Sequence, residues 1–423
     1  MRKVDIGILL SPEITVDFIG GFSCNGVAVE ETCTVTARDG KLFYAGSSYS
    51  SLLFAPTADD CRFVLRDVVI GLNFHWERKE DQTFKGELLF IVEDGRVRAI
   101  NRLFIEDYLV SVISSEMSSA SSPEFLKAHT VISRSWLYAQ LLRKERVTEG
   151  TLGYETPCET IRWYAREDHT LFDLCADDHC QRYQGLTRAI NPNVAAAVKA
   201  TEGLVLKYDG EVCDARFSKC CGGVTERFSA CWEDVDYPYL EAFRDCEGAA
   251  QLPDLTTESG AREWIESTPD AFCSAVPARV LAQVLNSYDR ETNDFYRWQV
   301  EYSREELSRL VATRSGVDFG EIQELVPVER GASGRIVKLR IVGSKATRVV
   351  GKELEIRRWL SPSHLYSSAF VVDRSEKGFC LKGAGWGHGV GLCQIGAAVM
   401  GENGCDFVKI LQHYYPGAVI ESI

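Results

Sequence analysis

A change of hydrophobic period divides this chain and limits what it can fold into. From Val4 to about Arg102 the apolar residues fall in short β-branched runs broken by polar ones: Val4-Asp5-Ile6-Gly7-Ile8-Leu9, Thr32-Cys33-Thr34-Val35-Thr36 and Gly86-Glu87-Leu88-Leu89-Phe90-Ile91-Val92, the last closed by Glu93-Asp94-Gly95. Runs of that length and composition predict strands joined by turns. After this region the spacing becomes helical. Ser121-Ser122-Pro123-Glu124 supplies an N-cap, a first-turn proline and an early acid, and Phe125, Ala128, Ile132, Trp136 and Ala139 then recur on one face. A helix is predicted from about Ser122 to Leu142.

Residues 150 to 250, rich in Cys, Gly and aromatics, read as loops and short strands around a site. Helical spacing returns at Ala261 to Glu266, Pro277 to Leu285 and Arg304 to Ala312. Strands are expected again from Ile336 to Ile356, after the turn Gly331-Ala332-Ser333-Gly334. The predicted fold class is α+β: a β-rich body with one central helix beside the site and a helical excursion. The expected blocks are a β-rich N-terminal region over 1–102, a core over 103–255, a helical subregion over 256–330 and a β-rich C-terminal part over 331–423. No internal repeat is present, which argues against a solenoid.

Lys and Arg total 47 against 61 Asp and Glu, a net charge of −14. That balance excludes a nucleic-acid backbone or an anionic membrane surface as the main partner, because both need clustered cations. The 15 cysteines are an odd number in a chain of 423 residues, too long to depend on disulfide staples. Mostly reduced thiols are expected, some of them holding metal. The apolar run at Met1 to Leu10 is broken by Asp5 and ended by Ser11-Pro12-Glu13, too short for a signal segment. No stretch approaches the roughly 20 apolar residues of a spanning helix. The chain as given predicts a cytoplasmic location; a signal peptide removed before Met1 would make it periplasmic or cell-surface.

Three constellations can carry chemistry. Gly383, Gly385, Gly387, Gly389 and Gly391 stand at strict two-residue spacing, with Trp386 and His388 between them. No offset of the run gives the G-x-G-x-x-G of a dinucleotide site, so what remains is backbone open to close approach, or a plain structural bend. Within His169-Thr170-Leu171-Phe172-Asp173-Leu174-Cys175-Ala176-Asp177-Asp178-His179-Cys180, thiolate and imidazole suit zinc. His169, Cys175 and Cys180 are the expected ligands, with His179 the competing imidazole and the fourth position left for water, substrate or a distant side chain. The plain alternative is a reduced buried cysteine pair with a surface histidine. Glu116, just before the capped helix, has Val110, Val112, Ile113 and Met117 nearby to desolvate its carboxyl, as a general acid requires.

Together these segments resemble a family. Glu106-Asp107-Tyr108-Leu109 through Ser115-Glu116-Met117, then Leu126 to Ser135, is similar to the E-D-Y-L…E-M…L-K-A-Q-A-V-A-A-R-T signature of the SpoIID/LytB family. Cys175 to Gly185, Phe217 to Glu226 and Gly385 to Ala397 follow in the family's order. The resemblance implies lytic transglycosylase cleavage of peptidoglycan glycan strands, on strands free of stem peptides, with Glu116 as the acid. On the matching motifs Arg134, Tyr183, Ser218, Gly222, Gly223, Trp386, His388 and Gln394 become the expected substrate contacts, Trp386 or Tyr183 stacking on sugar faces. The chain departs from the pattern at Lys219, Cys220 and Cys221, where serines are usual, at Cys393, and at His129, Ser133 and Trp136 in the helix. Other members of the family imply a different class of function, a non-catalytic enhancer of a partner cell-wall amidase. Direct zinc hydrolysis with Asp177 or Asp178 as base is a third reading.

Overall fold

The computed structural model describes residues 2–71, 77–118, 121–145, 153–163, 169–177, 179–189, 192–248, 250–284, 294–376 and 378–423. Among them run nine α-helices: α1 (Ile105–Glu116), α2 (Pro123–Glu145), α3 (Pro192–Ala200), α4 (Glu258–Glu266), α5 (Ala278–Val284), α6 (Arg304–Ser315), α7 (Glu353–Trp359), α8 (Gln394–Glu402) and α9 (Phe407–Tyr414). Strands outnumber them, so the class is α+β and β-rich, as the pattern predicts. No helix of the described residues is long and apolar enough to cross a membrane. The chain forms two compact units, Met1–Ser119 with Glu167–Glu202, and Ala120–Arg166 with Gly203–Ile423. This differs from four consecutive blocks, because pairing across long sequence distances crosses the expected boundaries.

In the first unit two sheets face each other. One contains Lys3–Ser11, Arg96–Phe104, Glu87–Glu93 and Ser51–Pro56 at its centre; the other contains Arg62–Ile70, Glu13–Ile19 and Thr32–Arg38. Alternation explains the arrangement: Ile14, Val16 and Phe18 are buried on one face of their strand while Glu13 and Ile19 are exposed. Rings from the two sheets meet, Phe18 against Phe54 at 5.3 Å and Phe22 edge-on to Phe63 at 6.3 Å between centroids. The two-residue strand Leu174–Cys175 adds in parallel to Lys3–Ser11, pairing Ile6 with Leu174 and Gly7 with Cys175. That pairing draws 167–202 into this unit. α1 continues from Arg96–Phe104 and packs on α3; neither helix was expected from the sequence.

The second unit is organised around α2, which begins where predicted and runs three residues past Leu142. Its middle is buried on every side: His129, Thr130, Ser133, Arg134 and Ser135 are as inaccessible as Val131, Ile132 and Leu137. The polar side chains are satisfied internally. Thr130 Oγ1 donates to Leu126 O, Arg134 Nη1 donates to Leu204 O at 3.0 Å, and Ser135 Oγ accepts from Leu206 N at 2.8 Å. α2 thereby holds the strand Leu204–Tyr208, which pairs with Val419–Ser422. The helical excursion is real at α4, α5 and α6, but the strand Arg297–Ser303 interrupts it and pairs with Gly378–Ala384. Strands Ile322–Arg330, Ile336–Gly343 and Thr347–Gly351 surround the predicted turn, whereas Ile356 belongs to α7.

Replacing Ser135 by Ala orphans the buried Leu206 N–H. Chemical denaturation should show a loss of about 1–3 kcal/mol, and an unchanged midpoint would contradict the clamp.

Candidate functional site

In the first unit, Gly7 lets an aromatic ring lie on the sheet edge: a Cβ there would meet the Phe172 ring at 2.6 Å. Phe172 in turn stacks on His169, with centroids 4.7 Å apart. The adjacent strand Leu174–Cys175 fixes the first thiol. The chain then turns so that Cys180 Sγ accepts from Cys175 N at 3.5 Å and lies 3.5 Å from His179 Nδ1. The donor atoms of His169, Cys175, His179 and Cys180 all lie within 4.8 Å of one another. His169 Nε2 is buried and, among the described residues, has no hydrogen-bond partner. Hydrogen bonds from Cys180 first, then from His169 and His179, hold the Cys175 thiol far below its ordinary range against the opposing effect of burial.

The three expected ligands are therefore neighbours, and His179 joins them instead of competing. Four converging donors would fill the positions of a tetrahedral ion, whereas the direct zinc-hydrolase reading needs one of them left open. Asp178, invoked for it, lies outside the described residues. A cleft of about 530 Å³ adjoins the cluster, lined also by Arg96, Arg98, Asp177 and Arg182.

Glu116 is the last residue of α1, an element the sequence did not predict, and precedes α2 in the chain. Val112, Ile113 and Met117 are buried around that turn. The segment after Cys180 is bonded, residue by residue, to α1 and the strand before it. Tyr108 Oη donates to Gln181 Oε1 at 3.1 Å, Arg182 N donates to Glu116 Oε1 at 3.1 Å, and Tyr183 Oη donates to Asn101 Oδ1 at 2.5 Å. The His/Cys cluster and the Glu116 carboxylate thus share one short tether. Tyr183 itself is a correction: it is buried between Phe84 and Tyr108, in ring contact with both, and presents no face for a sugar.

In the second unit two segments zip together. Phe217–Ser218 pairs in parallel with Leu392–Cys393, and Cys220 and Trp386 exchange backbone hydrogen bonds at 3.0 and 2.8 Å. The alternating glycines make this possible. Gly385, Gly387, Gly389 and Gly391 all have φ between 71° and 93°, a region that costs other residues strain. Gly385, Gly387 and Gly389 surround the fully buried Arg335, whose Nε and Nη2 donate to Gly387 O at 3.1 and 3.0 Å and whose Nη1 donates to Cys221 O and Ser333 Oγ. Ser218, Gly222, Gly223, Trp386, His388 and Gln394 are all brought into this region.

Their roles differ. Trp386 is half-buried, stacked on Phe295 at 4.7 Å and edge-on to Tyr366 at 4.8 Å. His388 accepts from Val390 N through Nδ1 and lies edge-on to Trp232. Burial first, then the guanidiniums of Arg216, Arg335 and Arg357, push its imidazole well below the ordinary range, so it is neutral. Gln394 is buried, 3.1 Å from His129 Nε2, and burial and then Lys219 push His129 down to about 3. Arg134 is spent on Leu204 O inside the unit, a correction to its expected substrate contact. Gly222 O accepts from Trp264 Nε1 and Arg297 Nη1. Sequence reasoning named His179 as the competing imidazole and missed Arg335, which the turn Gly331 to Gly334 immediately precedes.

Residues 93–208 match the family model described as Stage II sporulation protein, SpoIID, and residues 226–391 match one described as Domain of unknown function (DUF8618). These matches support the resemblance to the SpoIID/LytB family over the residues matched. It is similar to an uncharacterised protein of Brachyspira hyodysenteriae, 26% identical over 80% of this chain and 72% of that one. It is 27% identical to the Amidase enhancer of Bacillus subtilis over 74% of this chain, spanning only 40% of that protein's length. It is 23% identical to Stage II sporulation protein D of Bacillus amyloliquefaciens over 76% of this chain and 75% of that one.

Gly389→Ala forces a Cβ to 2.5 Å from Arg335 Cζ at φ +77°, whereas Gly404→Ala at φ +84° meets open space. Thermal unfolding should charge both about 1–2 kcal/mol of backbone strain, with about 1–3 kcal/mol more for Gly389→Ala from overpacking. Equal losses would contradict the wrapping of Arg335.

Proposed function

We propose that this chain acts at the bacterial cell wall as a lytic transglycosylase that cleaves peptidoglycan glycan strands, with Glu116 as its acid and base. The observation that carries the reading is the anchoring of the Glu116 carboxylate by Arg182 N–H, in the motif order of the SpoIID/LytB family. A single carboxyl serves both halves of the reaction. As acid it protonates the glycosidic oxygen and the bond to the muramic acid anomeric carbon breaks. As carboxylate it then takes the proton of the muramic acid 6-hydroxyl, whose oxygen closes on that carbon to give the 1,6-anhydro ring without water. Within the second unit, taken by itself, the half-buried Trp386 offers part of an apolar ring to a sugar. Strands free of stem peptides suit the acidic chain, since they lack the stem carboxylates it would repel.

His169, Cys175, His179 and Cys180 fit one zinc ion. A tetrahedral ion with Zn–S near 2.3 Å and Zn–N near 2.05 Å separates sulfur and nitrogen by about 3.6 Å, and Cys180 Sγ and His179 Nδ1 are 3.5 Å apart. Two imidazoles and two thiolates would make a closed, structural site. Bound there, the ion would supply order to the loop whose next residues hold Glu116, and the chemistry would stay with the carboxyl.

A second reading has a specific support, the similarity to a protein named Amidase enhancer. In it the same wall is a glycan-binding surface and the catalyst is a partner cell-wall amidase.

Glu116→Gln keeps the shape and removes the titrating proton. Release of soluble fragments from denuded glycan should fall about 10²–10⁴-fold while the circular dichroism is unchanged; a wild-type rate would eliminate Glu116 as the acid. Cys175→Ser should lower the zinc content by one ion per chain and slow the same assay. Unaltered zinc would reject the ligand set.

A further inference from the structure

A second thiol cluster lies in the unit built on α2, away from the sequence motif that first pointed to zinc. Cys221, Cys273, Cys393 and Asp245 come from four separate segments, yet their donor atoms all lie within 4.8 Å of one another and all four side chains are buried. Cys221 Sγ is 3.6 Å from Cys273 Sγ and 3.2 Å from Asp245 Oδ2. A disulfide needs about 2.05 Å between sulfurs. Two thiolates on one tetrahedral zinc, each at about 2.3 Å, stand about 3.8 Å apart.

The surroundings are those of a ligand set. Cys393 Sγ accepts from Cys221 N at 3.3 Å and, as N-cap of α8, from Gly396 N at 3.4 Å. Cys221 Sγ accepts from Gly223 N at 3.3 Å. Such N–H donors, one of them at the positive end of a helix, favour thiolates. Asp245 uses Oδ1 outward, accepting from His413 Nε2 at 3.0 Å and Tyr414 Oη at 2.9 Å, and turns Oδ2 toward the sulfurs. A carboxylate ligand held from behind by hydrogen bonds is a common feature of metal sites. Three thiols and a carboxyl enclosed from water can ionise together only if a cation offsets them.

We infer that Cys221, Cys273, Cys393 and Asp245 bind a second divalent ion of the zinc class in a closed three-sulfur, one-oxygen site. With four protein donors and no exposed face the site is structural. It staples the segment Phe217–Cys221 to the end of the glycine run, since Cys393 closes the strand Leu392–Cys393 and Cys221 follows Cys220, which is bonded to Trp386. Two of its ligands stand where this chain departs from the family pattern, and the site is independent of the Glu116 reading.

The test uses the whole chain, purified without chelator or reductant, beside a Cys175→Ser/Cys180→Ser variant that lacks the first cluster. After zinc(II) loading and desalting, mass spectrometry of the metal should give about two ions per wild-type chain and about one in the variant. X-ray absorption of the variant should then show three sulfurs at about 2.3 Å and one oxygen. Adding Cys273→Ser should remove that ion. Because this last change can also unfold the chain, cobalt(II) titration of the unaltered protein provides a second measure: thiolate-to-cobalt absorption should correspond to five thiolates rather than two. No metal in the double variant, cobalt absorption of two thiolates, or a Cys221–Cys273 disulfide found by peptide mapping would each overturn the proposal.

Discussion

The fully buried guanidinium of Arg335 is the constraint on which the zipped wall of the second unit depends. Burying such a charge is costly unless its donors are met. Here carbonyls of Gly387 and Cys221 and the hydroxyl of Ser333 meet four of its five N–H groups, and Ser333 Oγ passes the interaction on to the buried Glu226 carboxylate at 2.6 Å. Glu226 also accepts from the backbone N–H groups of Ala332 and Ser333. The turn Gly331 to Gly334, the segment at Cys221 and the glycine run therefore close on one ion pair bridged by a serine. Any side chain at Gly385 or Gly389 would enter that space.

The same economy appears in the first unit, where a short element positions a chemical group through the next few residues. Phe172 over Gly7 sets His169, the strand Leu174–Cys175 sets the first thiol, and the three residues after Cys180 reach α1 and the strand before it. A carboxylate at a helix end is ordinarily free to sample rotamers at an entropic cost when fixed. The backbone N–H of Arg182 limits that sampling for Glu116. Loss of order anywhere along 169–183 therefore acts on the carboxyl even though none of those side chains needs to touch a substrate.

How far the sequence could be read follows from the range of each interaction. α2 was legible because its cap and its first-turn proline are local, and the strands of the N-terminal region because alternation is local. α1 was not: its run Tyr108 to Ser115 is rich in β-branched residues and its N-cap Phe104 makes no side-chain cap. Among the buried polar residues of α2, Arg134 read as a substrate contact, and only the partners on Leu204–Tyr208 and Gln394 explain why these side chains are inside. Tyr183 read as a sugar platform because composition cannot tell a stacked core ring from an open one. The His/Cys cluster was visible within twelve residues of sequence, whereas Cys221, Asp245, Cys273 and Cys393 span most of the second unit and no spacing rule links them.

The central claim is that the Glu116 carboxyl, held by the tether after the His/Cys cluster, breaks glycan strands without water. The most direct measurement is mass analysis of the strand ends produced by the purified chain alone from peptide-free glycan. The account predicts 1,6-anhydro-muramyl ends, each lighter by one water than a hydrolysed end. Reducing ends, or no new ends until a cell-wall amidase is added, would contradict it.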